Sequence, residues 1–145
     1  MNIYFACSIT GGREYEQVYQ AIVQALLADG HQVPTAHLAK PEVMALESSV
    51  EAADVFHRDI NWIQESDALV AEVSTPSHGV GFEVCYALSL GKPVLCCYRV
   101  GEKISKMITG NPHPKLRLSA YRTHSEAVGF TRSFIADCLF GTRTG

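Results

Sequence analysis

The residues best equipped for chemistry in this chain are two carboxylates set in unusual company. Glu83 closes the run Ser74-Thr75-Pro76-Ser77-His78-Gly79-Val80-Gly81-Phe82-Glu83, and Asp59 lies within Phe56-His57-Arg58-Asp59-Ile60-Asn61-Trp62. At helical spacing Asp59 shares a stripe with Phe56, Ile60 and Ile63, so it is expected to face inward. An inward carboxylate needs a partner or a task, because an unpaired buried charge is costly. Paired with Glu83 it supplies one acid and one nucleophile. Such a pair, with its carboxyl groups roughly 5–5.5 Å apart, is the arrangement of retaining glycosyl chemistry. Each residue also has a plainer reading. Glu83 in the first turn of a helix complements the dipole, and Asp59 is an ion-pair partner for Arg58 or His57.

Two glycine-bearing loops suggest what the pair would act on. Cys7-Ser8-Ile9-Thr10-Gly11-Gly12-Arg13 runs straight into a helix, where free N–H groups favour an anion. Ser8, Thr10 and Arg13 add donors suited to a phosphate or to sugar hydroxyls. The second run, with Ser77, Gly79 and Gly81, reads as another anion cradle at a helix start, and His78 sits inside it. The first loop is neither a GxGxxG nor a Walker A motif, which disfavours a dinucleotide or a P-loop nucleotide. A plain strand-to-helix turn is the alternative for the first loop, and the dipole-only reading of Glu83 is the alternative for the second. His31, His113 and His124 fall in turns and read as solvated, while His57 reads as paired or outward.

Strands and helices alternate around these segments. Apolar runs predict strands over Ile3–Cys7, His31–Ala36 (at an edge, because of Pro34), Ala68–Val73, Pro93–Tyr98 and Leu116–Tyr121. Helical spacing predicts helices over Glu14–Asp29, Ser49–Glu65, Phe82–Leu90 and Ser125–Phe140, with a short one inside Gly101–Gly110. Residues 37–47 read as a loop or lid. The pattern predicts an α/β fold: one domain over 1–145 with a doubly wound, parallel, five-stranded sheet of flavodoxin-like or Rossmann-like type. Ligands in such sheets collect at the carboxyl ends of the strands, at the topological switch point. Both cradles belong there.

Composition narrows the classes. The chain has 145 residues, 47% hydrophobic and 19% charged, with a net charge of −3. That length buries a self-sufficient core, and the small negative charge argues against a nucleic-acid polymer as partner. No apolar run approaches the roughly 18 residues of a membrane span, and the start carries no basic region like that of a signal peptide. The five cysteines (Cys7, Cys85, Cys96, Cys97, Cys138) have no metal-ligand spacing and read as reduced thiols in a cytoplasmic protein, or a nuclear one in a eukaryote.

The segments Tyr4-Phe5-Ala6-Cys7-Ser8-Ile9-Thr10-Gly11-Gly12-Arg13, Asp59-Ile60-Asn61-Trp62, Asp67-Ala68-Leu69-Val70-Ala71-Glu72 and Gly79-Val80-Gly81-Phe82-Glu83 together resemble the nucleoside 2-deoxyribosyltransferase superfamily. The likeness is greatest to its hydrolytic branch, the 2′-deoxynucleoside 5′-monophosphate N-hydrolases. It runs from the first strand to about Asn111. The resemblance implies Glu83 as nucleophile, Asp59 as acid/base and Tyr4 as the residue that orients nucleophile and sugar. It places Cys7, Ser8, Ile9, Thr10, Gly11, Gly12, Arg13, Ser77 and Gly79 along the sugar–phosphate pocket and His37 near the base. It also implies a homodimer with shared sites, in which a neighbouring subunit donates Ser105 and, as a second polar group, Asn111. The substrate implied is a small nucleotide or nucleoside, and no cofactor or metal is required.

One departure stands out. Thr10 occupies a place where the family's hydrolases carry a phosphate-holding arginine, so the preference for nucleotide over nucleoside stays open. Three readings follow: hydrolysis of deoxynucleoside monophosphates, base exchange by a deoxyribosyltransferase, or a non-catalytic nucleotide-binding module.

Overall fold

The computed structural model describes residues 1–141, so the last four residues of the expected domain lie outside the described residues. Its sheet has four parallel strands, β1 (Ile3–Ala6), β2 (Ala68–Glu72), β3 (Val94–Arg99) and β4 (Leu116–Tyr121), in the order β1-β2-β3-β4. The helices are α1 (Glu16–Ala28), α2 (Val43–Ser48), α3 (Ala52–Glu65), α4 (His78–Ser89), α5 (Lys106–Thr109) and α6 (His124–Phe140). Strands β1 and β2 are buried along their whole length, as their unbroken apolar character requires of strands covered on both faces.

Alternation along each strand sorts the side chains into two cores. Ile3, Phe5, Val70, Leu95 and Cys97 pack with Tyr19 and Ile22 of α1 and with Phe134 and Ile135 of α6. Tyr4, Ala6, Leu69, Ala71, Val94 and Cys96 pack on the other face with Ile63 of α3 and Val84 and Ala87 of α4. The α/β architecture with helices on both faces is therefore the one the sequence predicts. The side of the sheet that Tyr4 faces is also fixed: it points at α3 and α4.

The five-stranded expectation is corrected to four. The expected strand over His31–Ala36 shrinks to a single parallel bridge between Asn2 and Gln32. Ile3 donates its N–H to the Gln32 carbonyl at 2.8 Å, and Gln32 donates to Met1 at 2.9 Å. Pro34 then has no N–H to offer, and the chain turns as Ala36 donates to the Val33 carbonyl at 3.0 Å. The N–H of Phe5 is satisfied instead by the Thr35 side-chain oxygen at 2.9 Å. The chain still passes to one side of β1 and returns to β2 on the other, so the switch point lies between β1 and β2.

Other bounds differ as well. Residues 37–47 are not an open loop: a 3-10 turn over Ala36–Ala39 and helix α2 anchor them through buried Leu38, Ala39 and Val43. Helix α3 starts at Ala52 rather than Ser49, and α4 starts at His78 rather than Phe82. Gly79 and Gly81 read as turn residues in the sequence, but Ser77 caps the helix ahead of them, its hydroxyl accepting the Val80 N–H at 3.3 Å.

A buried carboxyl ties the strand ends together. Glu72, fully buried at the end of β2, accepts hydrogen bonds from the Ser74 hydroxyl, from the Ser74 N–H at 3.3 Å and from the Tyr121 hydroxyl at 3.0 Å. Burial pushes its pKa up to about 7, against the hydrogen bonds that favour the ion. Between its unfolded value and about 7 the folded protein binds the extra proton, so stability is full below the unfolded value and is lost as pH rises. Glu72→Gln is expected to lose roughly 3 kcal/mol less than the wild type between pH 4.5 and 8. Urea midpoints at the two ends of that range check this, and equal losses in both proteins would refute the assignment.

Candidate active site

Tyr4, Asp59 and Glu83 come from three elements, β1, α3 and α4, and converge because the second core brings those elements together. Tyr4 is fully buried, and its hydroxyl donates to Glu83 Oε1 at 3.0 Å. Asp59 and Glu83 line one cavity of about 460 Å³ with Val55, Phe56, Ile60, Gly79 and Phe82. The walls are largely apolar, and the two carboxyls are its acidic groups. Glu83 lies in the second turn of α4, beyond the reach of a dipole-only account, because α4 begins earlier than expected.

The cavity changes both acids. Burial pushes the Glu83 carboxyl up to about 8, with the Asp59 charge adding to the rise and the Tyr4 hydrogen bond opposing it. Burial also raises Asp59 above the ordinary carboxyl value, although the adjacent Arg58 works against it. Two raised carboxyls in one cavity share protons as a pair rather than titrate independently. Tyr4 stays neutral: burial and the neighbouring Glu83 drive its pKa far above the ordinary phenol value.

The inward stripe on α3 holds for Asp59 and Ile63, but Phe56 is about half exposed, so the stripe is narrower than its spacing suggests. Arg58, not His57, pairs with Asp59, its Nε donating to Oδ1 at 2.8 Å. His57 is exposed and its Nδ1 lies 2.7 Å from the Ala53 carbonyl.

The two glycine loops meet over the ends of β1 and β2. A Cβ on Gly11 would stand 2.5 Å from the Pro76 carbonyl, so only glycine lets the loops approach this closely. Gly12 has a φ of 130°, a conformation side chains rarely adopt. The Ser8 hydroxyl is buried between the loops without a partner, which is unusual for a buried donor. Thr10 is exposed, and Ile9 is half-buried against the first core. Cys7 turns into that same core, where burial pushes its thiol up to about 12. Such a thiol is unreactive.

Arg13 differs from its expected part as a free donor. Its guanidinium donates to the carbonyls of Leu38 at 2.8 Å, Ser8 at 3.1 Å and Lys40 at 3.1 Å, and twice to Glu16. All five N–H donors are thereby used. The side chain staples the first glycine loop to the 3-10 turn beyond α1. His37 is half-buried, its Nε2 lying 2.8 Å from Glu47 and its ring edge-on to Trp62. Trp62 belongs to the Asp59-Ile60-Asn61-Trp62 segment of the resemblance, whereas Glu47 carried no sequence signal that set it apart.

Ser105 and Asn111 do not join Asp59 and Glu83 within the chain. They line a separate groove of about 630 Å³ beside the start of α4, along with Ser77 and His78. Ser105 caps α5, accepting the Met107 N–H at 3.2 Å. Among the described residues no cluster of three potential metal ligands occurs, and no helix is long and apolar enough to cross a membrane.

A rat protein named 5-hydroxymethyl-dUMP N-hydrolase is 43% identical over 113 residues, covering 75% of this chain and 69% of its own. The solved CMP N-glycosidase of Clostridium botulinum superposes with a TM-score of 0.66 at 17% identity, covering 91% of this chain and 99% of its own. A 2-deoxyribosyltransferase from Bacillus psychrosaccharolyticus gives a TM-score of 0.59 at 22% identity, over 88% of this chain and 90% of its own. At those identities the two structures speak for the fold alone. The family profile described as nucleoside 2-deoxyribosyltransferase matches residues 3–128, most of the chain, and on that match the chain belongs to the nucleoside 2-deoxyribosyltransferase family.

Proposed function

We propose that this protein hydrolyses the N-glycosidic bond of 2′-deoxynucleoside 5′-monophosphates, releasing free base and 2-deoxyribose 5-phosphate through a covalent intermediate on Glu83. The observation that carries the reading is the Tyr4–Glu83 hydrogen bond of 3.0 Å in the cavity that Asp59 also lines. The name of the rat relative, which specifies a deoxynucleoside monophosphate, supports the same substrate class.

Glu83 attacks C1′ as the carboxylate, the form that the Tyr4 hydroxyl favours by donating to it. The C1′–N bond breaks with its electron pair passing to the base, and Asp59 delivers the proton that the base needs. A pair of raised carboxyls holding one proton between them suits these roles: the reactive form has the proton on Asp59 and Glu83 ionised, in exchange with the form, favoured by Arg58, in which Glu83 holds the proton. Water then attacks C1′ while Asp59 takes a proton back, and Glu83 is released. The two glycine loops receive the phosphate through their backbone N–H groups and the N-terminus of α4, joined by Ser8 and Ser77. Arg13 acts by holding the first loop in shape. His37 lies toward the base.

Ser105 and Asn111 belong, on this reading, to the site of a neighbouring subunit in a homodimer. The reaction uses one domain over 1–145 and takes place in the cytoplasm, or the nucleus in a eukaryote. It routes no step through a cofactor.

A second reading is base exchange by deoxyribosyl transfer on plain nucleosides. It is favoured by the exposed Thr10 and the fully engaged Arg13, which leave few side-chain donors for a phosphate. Incubation with each deoxynucleoside 5′-monophosphate and each deoxynucleoside, with and without a second free base, separates the two. Base released from the monophosphates alone is the expected result. Exchange on plain nucleosides would move the assignment to the transferase, and no cleavage of either would sink the catalytic reading.

A further inference from the structure

The ion pair between Arg58 and Asp59 poses a chemical difficulty. A guanidinium at 2.8 Å favours the ionised carboxylate, which has no proton to give a departing base. The same guanidinium has a second anionic partner. Its Nη2 lies 3.2 Å from the carboxylate of Glu47 on α2, whose Oε1 lies 2.8 Å from His37 Nε2. The Arg58 guanidinium rests over the Trp62 ring at 4.8 Å, fixing it between the two acids.

Glu47 is suited to compete. Burial works against its carboxylate, but hydrogen bonds from Arg58 and His37 outweigh this and hold it below the ordinary carboxyl value. It therefore stays ionised. Asp59 is faced by Arg58 from its own helix, Glu47 from α2, His37 from the 3-10 turn, Glu83 from α4 and Tyr4 from β1. Among these, Glu47 acts on Asp59 in two ways with one sign. Its negative charge opposes a second one on Asp59. Its grip on Nη2 also keeps the guanidinium from seating both nitrogens on Asp59, the strongest geometry for an arginine–carboxylate pair.

We propose that Glu47 is a positioning residue for the acid step: by sharing the Arg58 guanidinium with Asp59, it favours the form in which Asp59 carries the proton that the departing base takes up. This rests on the glycosidase reading above. As the C1′–N bond breaks and the C1′–O bond to Glu83 forms, the Asp59 proton passes to the base. The new Asp59 carboxylate is then left beside Arg58, which is already in place to hold it. Glu47 touches neither the reacting atoms nor the cavity lined by Asp59 and Glu83.

The test compares two leaving groups on one sugar phosphate. One substrate is the deoxynucleoside 5′-monophosphate that the wild type cleaves fastest, whose base needs a proton. The other is 4-nitrophenyl 2-deoxyribofuranoside 5-phosphate, whose phenolate departs without one. Glu47→Gln is expected to lower kcat on the nucleotide by about 10- to 100-fold, within the span of general-acid effects, and on the nitrophenyl substrate by less than about threefold. Glu47→Asp, which keeps the charge, should recover most of the loss. Glu47→Met, uncharged and of similar volume, reads the same contrast should the Gln variant fail to fold. Equal losses on both substrates would mean a merely structural role, and no loss on the nucleotide would equally overturn the proposal. A wild type inactive on both substrates would instead overturn the glycosidase reading itself, and this assignment with it.

Discussion

Glu83→Gln is expected to lower single-turnover cleavage of a deoxynucleoside monophosphate by about four orders of magnitude or more, while substrate binding survives. The amide matches the carboxylate in size and still accepts the Tyr4 hydroxyl at the 3.0 Å position, so the cavity keeps its shape. What disappears is the oxygen nucleophile. The variant also removes a carboxyl whose pKa is pushed up to about 8, so residual activity should no longer rise with pH through that region. Quenched-flow measurement with saturating enzyme, beside calorimetric titration with the same nucleotide, checks both halves. A variant that retains more than about a hundredth of the wild-type rate would remove Glu83 from the role of nucleophile. A protein with unaltered ligand binding and no turnover to lose would instead be a binding module.

Asp59→Asn is expected to cost about 10²- to 10⁴-fold on natural bases, the span of a general acid, and far less on a leaving group that departs unprotonated. The second effect is on pH. Burial holds the Asp59 proton above the ordinary carboxyl value, against Arg58, so the acid form persists to higher pH than a surface aspartate would allow. Removing Asp59 also removes its charge from beside Glu83, which lowers the Glu83 carboxyl from its raised value. The pH at which activity on the nitrophenyl substrate rises should therefore move down. A profile of kcat/KM against pH on that substrate, compared with the wild type, checks the direction. An upward movement, or equal losses on both leaving groups, would mean that Asp59 only braces the helix.

Both roles depend on details that chain order conveys unevenly. Unbroken apolar runs identified three of the parallel strands and the layers covering them, because burial on both faces forces that composition. The second predicted strand failed where its edge position made it weakest: Pro34 removed a donor, and the Thr35 side chain replaced a backbone partner. The glycines ahead of Glu83 suggested a turn, since glycine is a poor helix former, yet the Ser77 cap and the packing of Val80 and Val84 carry α4 back to His78.

The candidate site divides along the same line. Asp59 facing inward was legible from helical spacing, Glu83 from its glycine-rich approach, and the combination with Tyr4 from motif resemblance. Tertiary structure alone decided that Arg13 spends every donor on carbonyls and Glu16, that Arg58 rather than His57 holds Asp59, and that Glu47 contends for the same guanidinium. It also set Glu72 in a buried hydrogen-bonded cluster with Ser74 and Tyr121. The reason is the range of the forces concerned. Apolar burial follows the period of each strand or helix and is written residue by residue in the chain. The partner of a charge is whichever opposite group the fold brings within a few ångströms, and for Arg58 that includes a carboxylate on a different helix.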